Sequence, residues 1–338
     1  MKHILIPAGK TYKANLHTHT NLSDGNKTPE EIRADYLAHG YSVVAYTDHN
    51  LLLDHKDLCT EDFVALNGLE FDLGEPVPPF REKHINMIAL EPDNLIQPCW
   101  HREIQFFPDS AVIYRPLIRF DEKKPDFERE FTADCFNRAV KEAAETGFFV
   151  TYNHPDWNRD RYADYSQYHG MHAMEIRNYS CTCNGYDEDN GAVYEELLNL
   201  GSRIFCIAAD DTHSKRADDH PNLGAYGGYI RLWADKLEYR EVTKALEQGH
   251  FYACAGDSDT EGPEILEMTF ENGVLTVRTS PALRISVRTD LKNRSTRSLP
   301  LTEAEFRLKE GTKWFRVVVE DERGNKAFSN AYFTDELP

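Results

Sequence analysis

Residues 15–25 read N-L-H-T-H-T-N-L-S-D-G and residues 42–50 read S-V-V-A-Y-T-D-H-N, with a helical stretch between them. His17 and His19 are two apart at the end of a short extended run, residues 12–16. Side chains i and i+2 of a strand point to one side, so both imidazoles face one place. Asp24 follows in a Ser-Asp-Gly turn. Thr28, Pro29 and Glu31 have the form of a capping box with Pro at the first helical position. The helix they open runs to His39, and Gly40 stops it. Residues 42–47 read as a buried strand, with Asp48 and His49 at its C-terminal end. Two successive strands of a βαβ unit thus bring histidines to one edge of a sheet, where α/β folds collect ligands. A lone His at a strand end is an ordinary polar residue. Three histidines and two aspartates at consecutive strand ends have the composition of a metal site.

The pattern continues outward. A strand over residues 63–70 ends in Glu70, and His84 opens the apolar run 84–90. A helix over 132–146 leads to a strand over 148–153 that ends in His154-Pro155. The strand 173–177 is followed by Asn178, and a helix over 192–200 leads to the strand 204–209. That strand ends in Asp210, Asp211, Thr212 and His213, where Asp211 and His213 repeat the spacing of His17 and His19. Seven strand stations with helices among them, nearly all with a His, Asp or Glu at an end, imply an α/β barrel or an incomplete relative of the eight-stranded one. Residues 96–131 form a long aromatic- and proline-rich insertion, to be read either as a lid or as an ordinary elaboration.

After a last helix over 239–248 the character changes near residue 260. Residues 266–270, 274–279, 283–288, 314–320 and 327–333 read as strands, the first two joined by the hairpin signal Asn272-Gly273. The expected organisation is a barrel over 1–260 and a small Ig-like β-sandwich over 261–338. Residues 262–338 contain 12 acidic and 12 basic residues, so the net charge of −19 lies wholly in the residues before them. Such a surface repels long nucleic acid. No apolar stretch suits a signal peptide or a membrane span. Seven scattered cysteines fit free thiols and a cytoplasmic setting.

The ordered set H-x-H, S-D-G, T-D-H, G-x-E, H, H-P, D-x-H resembles the PHP domain, the family named for bacterial DNA polymerases and histidinol phosphatase. The resemblance covers roughly residues 12–260, by extent of the matching elements. Gly227-Gly228-Tyr229 and Gly249-His250-Phe251-Tyr252-Ala253 are similar to a subgroup that often carries a C-terminal β-sandwich. The resemblance implies a distorted (β/α)7 barrel, two to three divalent ions (Zn, Mn or Fe) and phosphoester hydrolysis by a metal-bridging hydroxide. It implies one ion on His17, His19, Glu70 and Asp211, a second on Glu70, His84 and His154, and a third on Asp24, His49 and His213. Many relatives have a histidine where this chain has Asp24. Glu70, Asp211 and His213 are the implied catalytic residues, and Asp48 is expected to orient His49 or a neighbouring ligand.

Arg177, Asn178 and Lys215 are candidates to contact a substrate phosphate. For Arg177, pairing with a nearby carboxylate stands as an equal reading, and Asp210 reads either as a support for the ligands or as a turn residue. Cys181 and Cys183 lack the second pair that a zinc site needs. The remaining histidines read as surface or structural residues, with His169 and His172 the exceptions because they precede the strand of Arg177. The expected function is metal-dependent hydrolysis of a small phosphorylated metabolite or short nucleotide. The alternatives are an amidohydrolase-type deacylase and a non-catalytic metal-stabilised scaffold. No G-x-S-x-G or P-loop pattern supports a serine nucleophile or a nucleotide cradle. Substrate identity and oligomeric state are not legible.

Overall fold

The capping box forms as the sequence dictates. Thr28 Oγ1 accepts from the Glu31 amide at 3.2 Å and Glu31 accepts from the Thr28 amide at 2.8 Å. A cap of this kind contributes about 1 kcal/mol, and here it fixes where the segment after Asp24 turns into a helix. The structure, a computed structural model, describes residues 2–104, 108–217, 220 and 223–337.

In chain order the strands are β1 (His3–Ile6), β2 (Tyr12–Asn15), β3 (Val43–Tyr46), β4 (Val64–Gly74), β5 (Glu82–Ala89), β6 (Phe148–Tyr152), β7 (Ala173–Asn178), β8 (Phe205–Ala209), β9 (Gly228–Leu232), β10 (Phe251–Ala255), β11 (Ile265–Glu271), β12 (Val274–Thr289), β13 (Arg294–Arg307), β14 (Trp314–Glu320), β15 (Lys326–Ser329) and β16 (Tyr332–Phe333). The helices are α1 (Pro29–Ala38), α2 (Ala133–Glu145), α3 (Tyr162–Tyr165), α4 (Tyr179–Cys183), α5 (Gly191–Asn199) and α6 (Tyr239–Glu247). The fold is mixed α/β, with one large sheet and few helices. No helix among the described residues is long and apolar enough to cross a membrane.

All seven expected strand stations are occupied, by β2 to β8. Their order in the sheet follows the chain, β2-β3-β4-β5-β6-β7-β8. The βα alternation, however, is incomplete. Only a 3-10 turn, Lys56–Leu58, lies between β3 and β4, and β5 runs antiparallel to both β4 and β6. β4 serves both directions: its first half pairs parallel with β3 and its second half antiparallel with β5. The change comes at Gly68, where a Cβ would press on Met87 O at 3.1 Å and Tyr46 O at 3.2 Å. Beyond the last strand, the His19 amide donates to Thr212 O and the Asp211 amide to His17 O, joining the end of β8 to the end of β2.

The tail strands pair antiparallel with one another and are also hydrogen-bonded to the first part of the chain. β15 pairs with β10, and β1 at the opposite end of the chain pairs with β11. The physical reason is an exposed edge: β10 would otherwise present unpaired amides and carbonyls. The segments expected at 274–279 and 283–288 are one bulged strand, β12. A core of Leu16, Val43, Leu66, Ile85, Phe136 and Met174 lies among β2 to β8 and α2. A second joins Ile32 and Tyr36 of α1 to Ile265, Ile285 and Val317 of the tail. Within the 96–131 insertion, the 3-10 segment Asp109–Leu117 packs Ala111 with Leu51 and Ile118, and Ser110 Oγ donates to Ser23 O above the Asp24 turn.

The closest approach in the sheet is at Gly228, where a Cβ would lie 2.2 Å from Ala209 O. Backbone cannot yield there as a flexible side chain could. Gly228→Ala is expected to cost about 1–3 kcal/mol, read as a lowered thermal midpoint. An unchanged midpoint would show that β8 and β9 are less tightly set.

Candidate metal centre

Every residue of the expected ligand set lies at one rim, and the strand directions explain why. His17 and His19 follow β2, His49 follows β3, His154 follows β6, and Asp211 and His213 follow β8. Glu70 lies within β4 opposite His49, with which it forms an isolated parallel bridge. His84, which opens its strand, reaches the same rim because β5 is reversed.

Glu70 is the centre of the cluster. Its carboxylate lies 3.1 Å from His17, 3.2 Å from His19, 3.4 Å from His49, 3.0 Å from His84 and 3.2 Å from His154. Asp211 lies 3.2 Å from His17 and 3.1 Å from His19. Asp24 stands at the outer side, 3.3 Å from His213 and 3.7 Å from His19. The potential ligand atoms converge in three groups: His17, His19, Glu70 and Asp211; His49, Glu70 and His84; and His19, Asp24, His49 and His213. His19 thus belongs to two groups, where the sequence reading gave it one. His49 joins Glu70 and His84 where the sequence reading put His154; His84 and His154 both approach Glu70 Oε1, and His49 approaches Oε2. No described residue of 262–338 enters any group.

The donor set fits divalent cations. Five buried atoms of the cluster, His19 Nδ1, Asp24 Oδ1, His49 Nδ1, His84 Nε2 and Asp211 Oδ1, stand within 3.7 Å of a potential ion-pair partner yet make no hydrogen bond of good geometry among the described residues. Buried polar atoms are ordinarily satisfied, and imidazole with carboxylate is the ligand chemistry of Zn, Mn and Fe. Several rings are aimed by their other nitrogen. His17 Nδ1 donates to Glu175 at 2.7 Å, His154 Nδ1 to Asn158 Oδ1 at 3.1 Å, and His213 Nδ1 to Asp211 O at 3.1 Å. Each bond leaves Nε2 for the cluster. His154 and Asp211 hold left-handed backbone angles, φ +25° and +55°, the kind of local strain found at functional sites.

Burial alone would make the histidines less basic, but the carboxylates outweigh it. Asp211 and Glu70 push His19 up to about 9, and Glu70 pushes His84 up to about 10. His49 moves the other way, to about 3, under burial and the charge of His19. Against the burial penalty, His213, His19 and His49 hold Asp24 well below the usual carboxylate range.

The sequence reading missed Glu175. It is fully buried and accepts from His17 Nδ1 at 2.7 Å, from the His154 amide at 2.9 Å and from Asn178 at 3.0 Å. A carboxylate in the middle of the run A-M-E-I, among residues that read as buried, was the available signal. Asn178 turns inward, donating to Glu175 and to Asp211 at 3.1 Å and capping α4. Arg177 does not line the cleft. The β7–β8 register shifts between Glu175 and Arg177, which breaks the alternation that would align the two. Asp48 holds no histidine: it accepts from Thr20 N, Thr20 Oγ1 and Ser23 Oγ, and so fixes the loop that carries Asp24. Asp210 accepts from Tyr36, Tyr226 N and Gly228 N behind the site, a structural support. Lys215 does reach the mouth, 2.8 Å from Asp24. His172 accepts from the Val150 amide and His169 is exposed, so neither joins the centre. Cys181 Sγ lies 3.9 Å from Asp211, and both it and Cys183 are free thiols.

The cluster floors an open cleft of about 770 Å³ walled by Trp157, Tyr186, Lys215, Arg216 and Pro108. No family model matches the sequence, and no curated protein matches it. Among solved structures, the chain is similar to a two-domain protein from Bacteroides vulgatus described as containing a predicted PHP-like metal-dependent phosphoesterase. That match has 17% identity and TM-score 0.46, and covers 97% of this chain and 98% of that one. A Bifidobacterium adolescentis structure provisionally described as a metal-dependent phosphoesterase matches at 16% identity and TM-score 0.39, over 61% of this chain and 90% of that one. An amidohydrolase from Chromobacterium violaceum matches at 15% identity and TM-score 0.35, over 59% and 87%.

Metal ligation requires neutral imidazole. Because His19 and His84 are raised, they keep their protons at pH 7 in metal-free protein and lose them only as pH passes about 9 and 10. Divalent-ion binding at pH 7 is therefore expected to release protons, and affinity is expected to keep rising above pH 7 rather than level off near 6.5. Calorimetry in buffers of different ionisation enthalpy measures this, and binding without proton release would contradict it.

Proposed function

We propose that the chain is a metal-dependent phosphoesterase of the PHP type, acting on a small phosphorylated metabolite or short nucleotide. The observation that carries this reading is the convergence of eight His, Asp and Glu side chains in three overlapping groups, two of which share Glu70, with five of their buried polar atoms making no hydrogen bond among the described residues. In this reading residues 1–260 form a distorted seven-stranded βα barrel and 261–338 a small Ig-like domain beside it. The hydrogen bonds between the ends of β8 and β2 support the barrel.

His17, His19, Glu70 and Asp211 would hold one divalent ion, Glu70, His84 and His154 a second, and Asp24, His49 and His213 a third. Bound ions supply Lewis acidity, which makes water a nucleophile near neutral pH and offsets charge on phosphoryl oxygens. The chain's own residues position and exclude. Glu175, Asn158 and the Asp211 carbonyl fix three rings, and Asn153 Nδ2 holds Glu70 Oε1 at 2.9 Å. Lys215 and Arg216 at the mouth suit an incoming phosphate. They replace Arg177 and Asn178, whose polar groups are placed elsewhere. Trp157 packs on His84 with ring centroids 4.9 Å apart and covers that side of the cluster.

The amidohydrolase-type alternative usually needs a carboxylated lysine between its ions. Here Glu70 takes the central position, and Lys215, the lysine that lines the cleft, pairs with Asp24 at its mouth.

Purified protein is expected to carry two to three divalent ions per chain and to hydrolyse a chromogenic phosphomonoester or phosphodiester, with activity lost to chelator and restored by metal. Glu70→Gln keeps the shape but loses the charge shared between two ion sites, so turnover should fall about a thousandfold or more. Asp24→Ala should instead be partly rescued by added metal. Hydrolysis confined to amide substrates, or a Glu70→Gln variant with most of its turnover, would overturn the assignment.

A further inference from the structure

A second charged cavity lies between α5 and the tail sheet, on residues that the proposed reaction does not use. Its volume is about 340 Å³, and it is lined by four cations, Arg284, Arg288, Arg316 and Lys326, and by the three carboxylates Asp189, Glu195 and Glu320. Three of the cations are matched. Arg284 lies 3.4 Å from Glu320, Arg316 lies 2.6 Å from Glu195, and Lys326 pairs with Asp189. Among the described residues Arg288 has no such carboxylate. It stands directly opposite Arg316 in the antiparallel β12–β14 pair, an arrangement in which like charges repel.

Two further features sharpen the imbalance. Arg316 is only 2% exposed, yet its Nη1 has no hydrogen-bond partner among the described residues, and the buried Nε of Arg288 has none either. The guanidinium of Arg316 also abuts the N-terminus of α5, so closely that a Cβ on Gly191 would lie 3.2 Å from its Nη2. A helix N-terminus carries partial positive charge. Two opposed guanidinium groups and a helix start thus share one cavity with too few carboxylates. A planar guanidinium pairs well with a tetrahedral oxyanion.

We propose that this cavity is a binding site for a small oxyanion of phosphate size, held by Arg288 and Arg316 at the start of α5 and separate from the metal cluster. Inorganic phosphate is the probe, titrated calorimetrically into the full chain. Phosphate also suits the catalytic cleft, so the quantity read is the difference between proteins. Arg288→Gln is expected to bind one equivalent of phosphate fewer than the wild type, with its hydrolytic turnover unchanged. Ser286 lies on the same strand face between Arg284 and Arg288. Ser286→Asp puts a carboxylate into the cavity, and it should lose the same equivalent while melting at higher temperature. Equal phosphate stoichiometry in the wild type and both variants would overturn the site.

Discussion

The rest of the site depends on one buried carboxylate. Glu70 is 1% exposed and lies within 3.4 Å of five imidazoles. A carboxylate taken out of water is costly unless it is paired and hydrogen-bonded. Five rings from four other segments satisfy it, and each must be delivered by backbone that is itself fixed. The constraint therefore spreads outward. Glu175 holds His17, Asn153 holds Glu70, and Asp48 holds the loop of Asp24. Asp210 ties the end of β8 to β9 and α1 through Gly228, Tyr226 and Tyr36.

The topology follows from the same need. A parallel strand delivers its last residues to the carboxyl rim. A histidine at the start of a strand reaches that rim only if the strand is reversed. β5 is reversed, and β4 accommodates it by pairing parallel on one half and antiparallel on the other. The regular βα alternation is given up at β4 and β5, and His84 gains its place beside Glu70 at 3.0 Å.

Much of this was legible because it is local. The capping box, the seven strands and the four longer helices obey periodicity and stop signals that lie within a few residues of one another. The reversed β5 was also written in the sequence, as a polar ligand opening an apolar run, but reading it needs knowledge of which rim carries the site. What could not be read depends on partners far along the chain. Arg177 and Asn178 read as neighbours at a strand end, yet a register shift separates Arg177 from the face of Glu175. Asn178 spends its amide on Glu175 and Asp211. Asp48 is next to His49 in sequence but serves residues 20 and 23. The joining of the tail to β10 rests on a pairing of residues 252–255 with 326–329, a separation that no local pattern encodes.

Charge balance explains how such a cluster keeps its shape in metal-free protein. Glu70, Asp211 and Asp24 are all held ionised by the rings around them, despite burial. The same carboxylates keep protons on His19 and His84 far above the ordinary histidine range. Protons and divalent ions thus stand as alternatives for one electrostatic task, the neutralising of three acids at a buried rim. His49, pushed to about 3, stays neutral. Its free nitrogen lone pair is available at any ordinary pH, while its neighbours must first give up a proton. His49 therefore offers a lone pair without a proton to displace, whereas His17 and His19, which meet Glu70 and Asp211 on the floor of the cleft, are both held well above the ordinary histidine range. That floor is where the ring nitrogens and carboxylates are most deeply buried and best fixed by their neighbours.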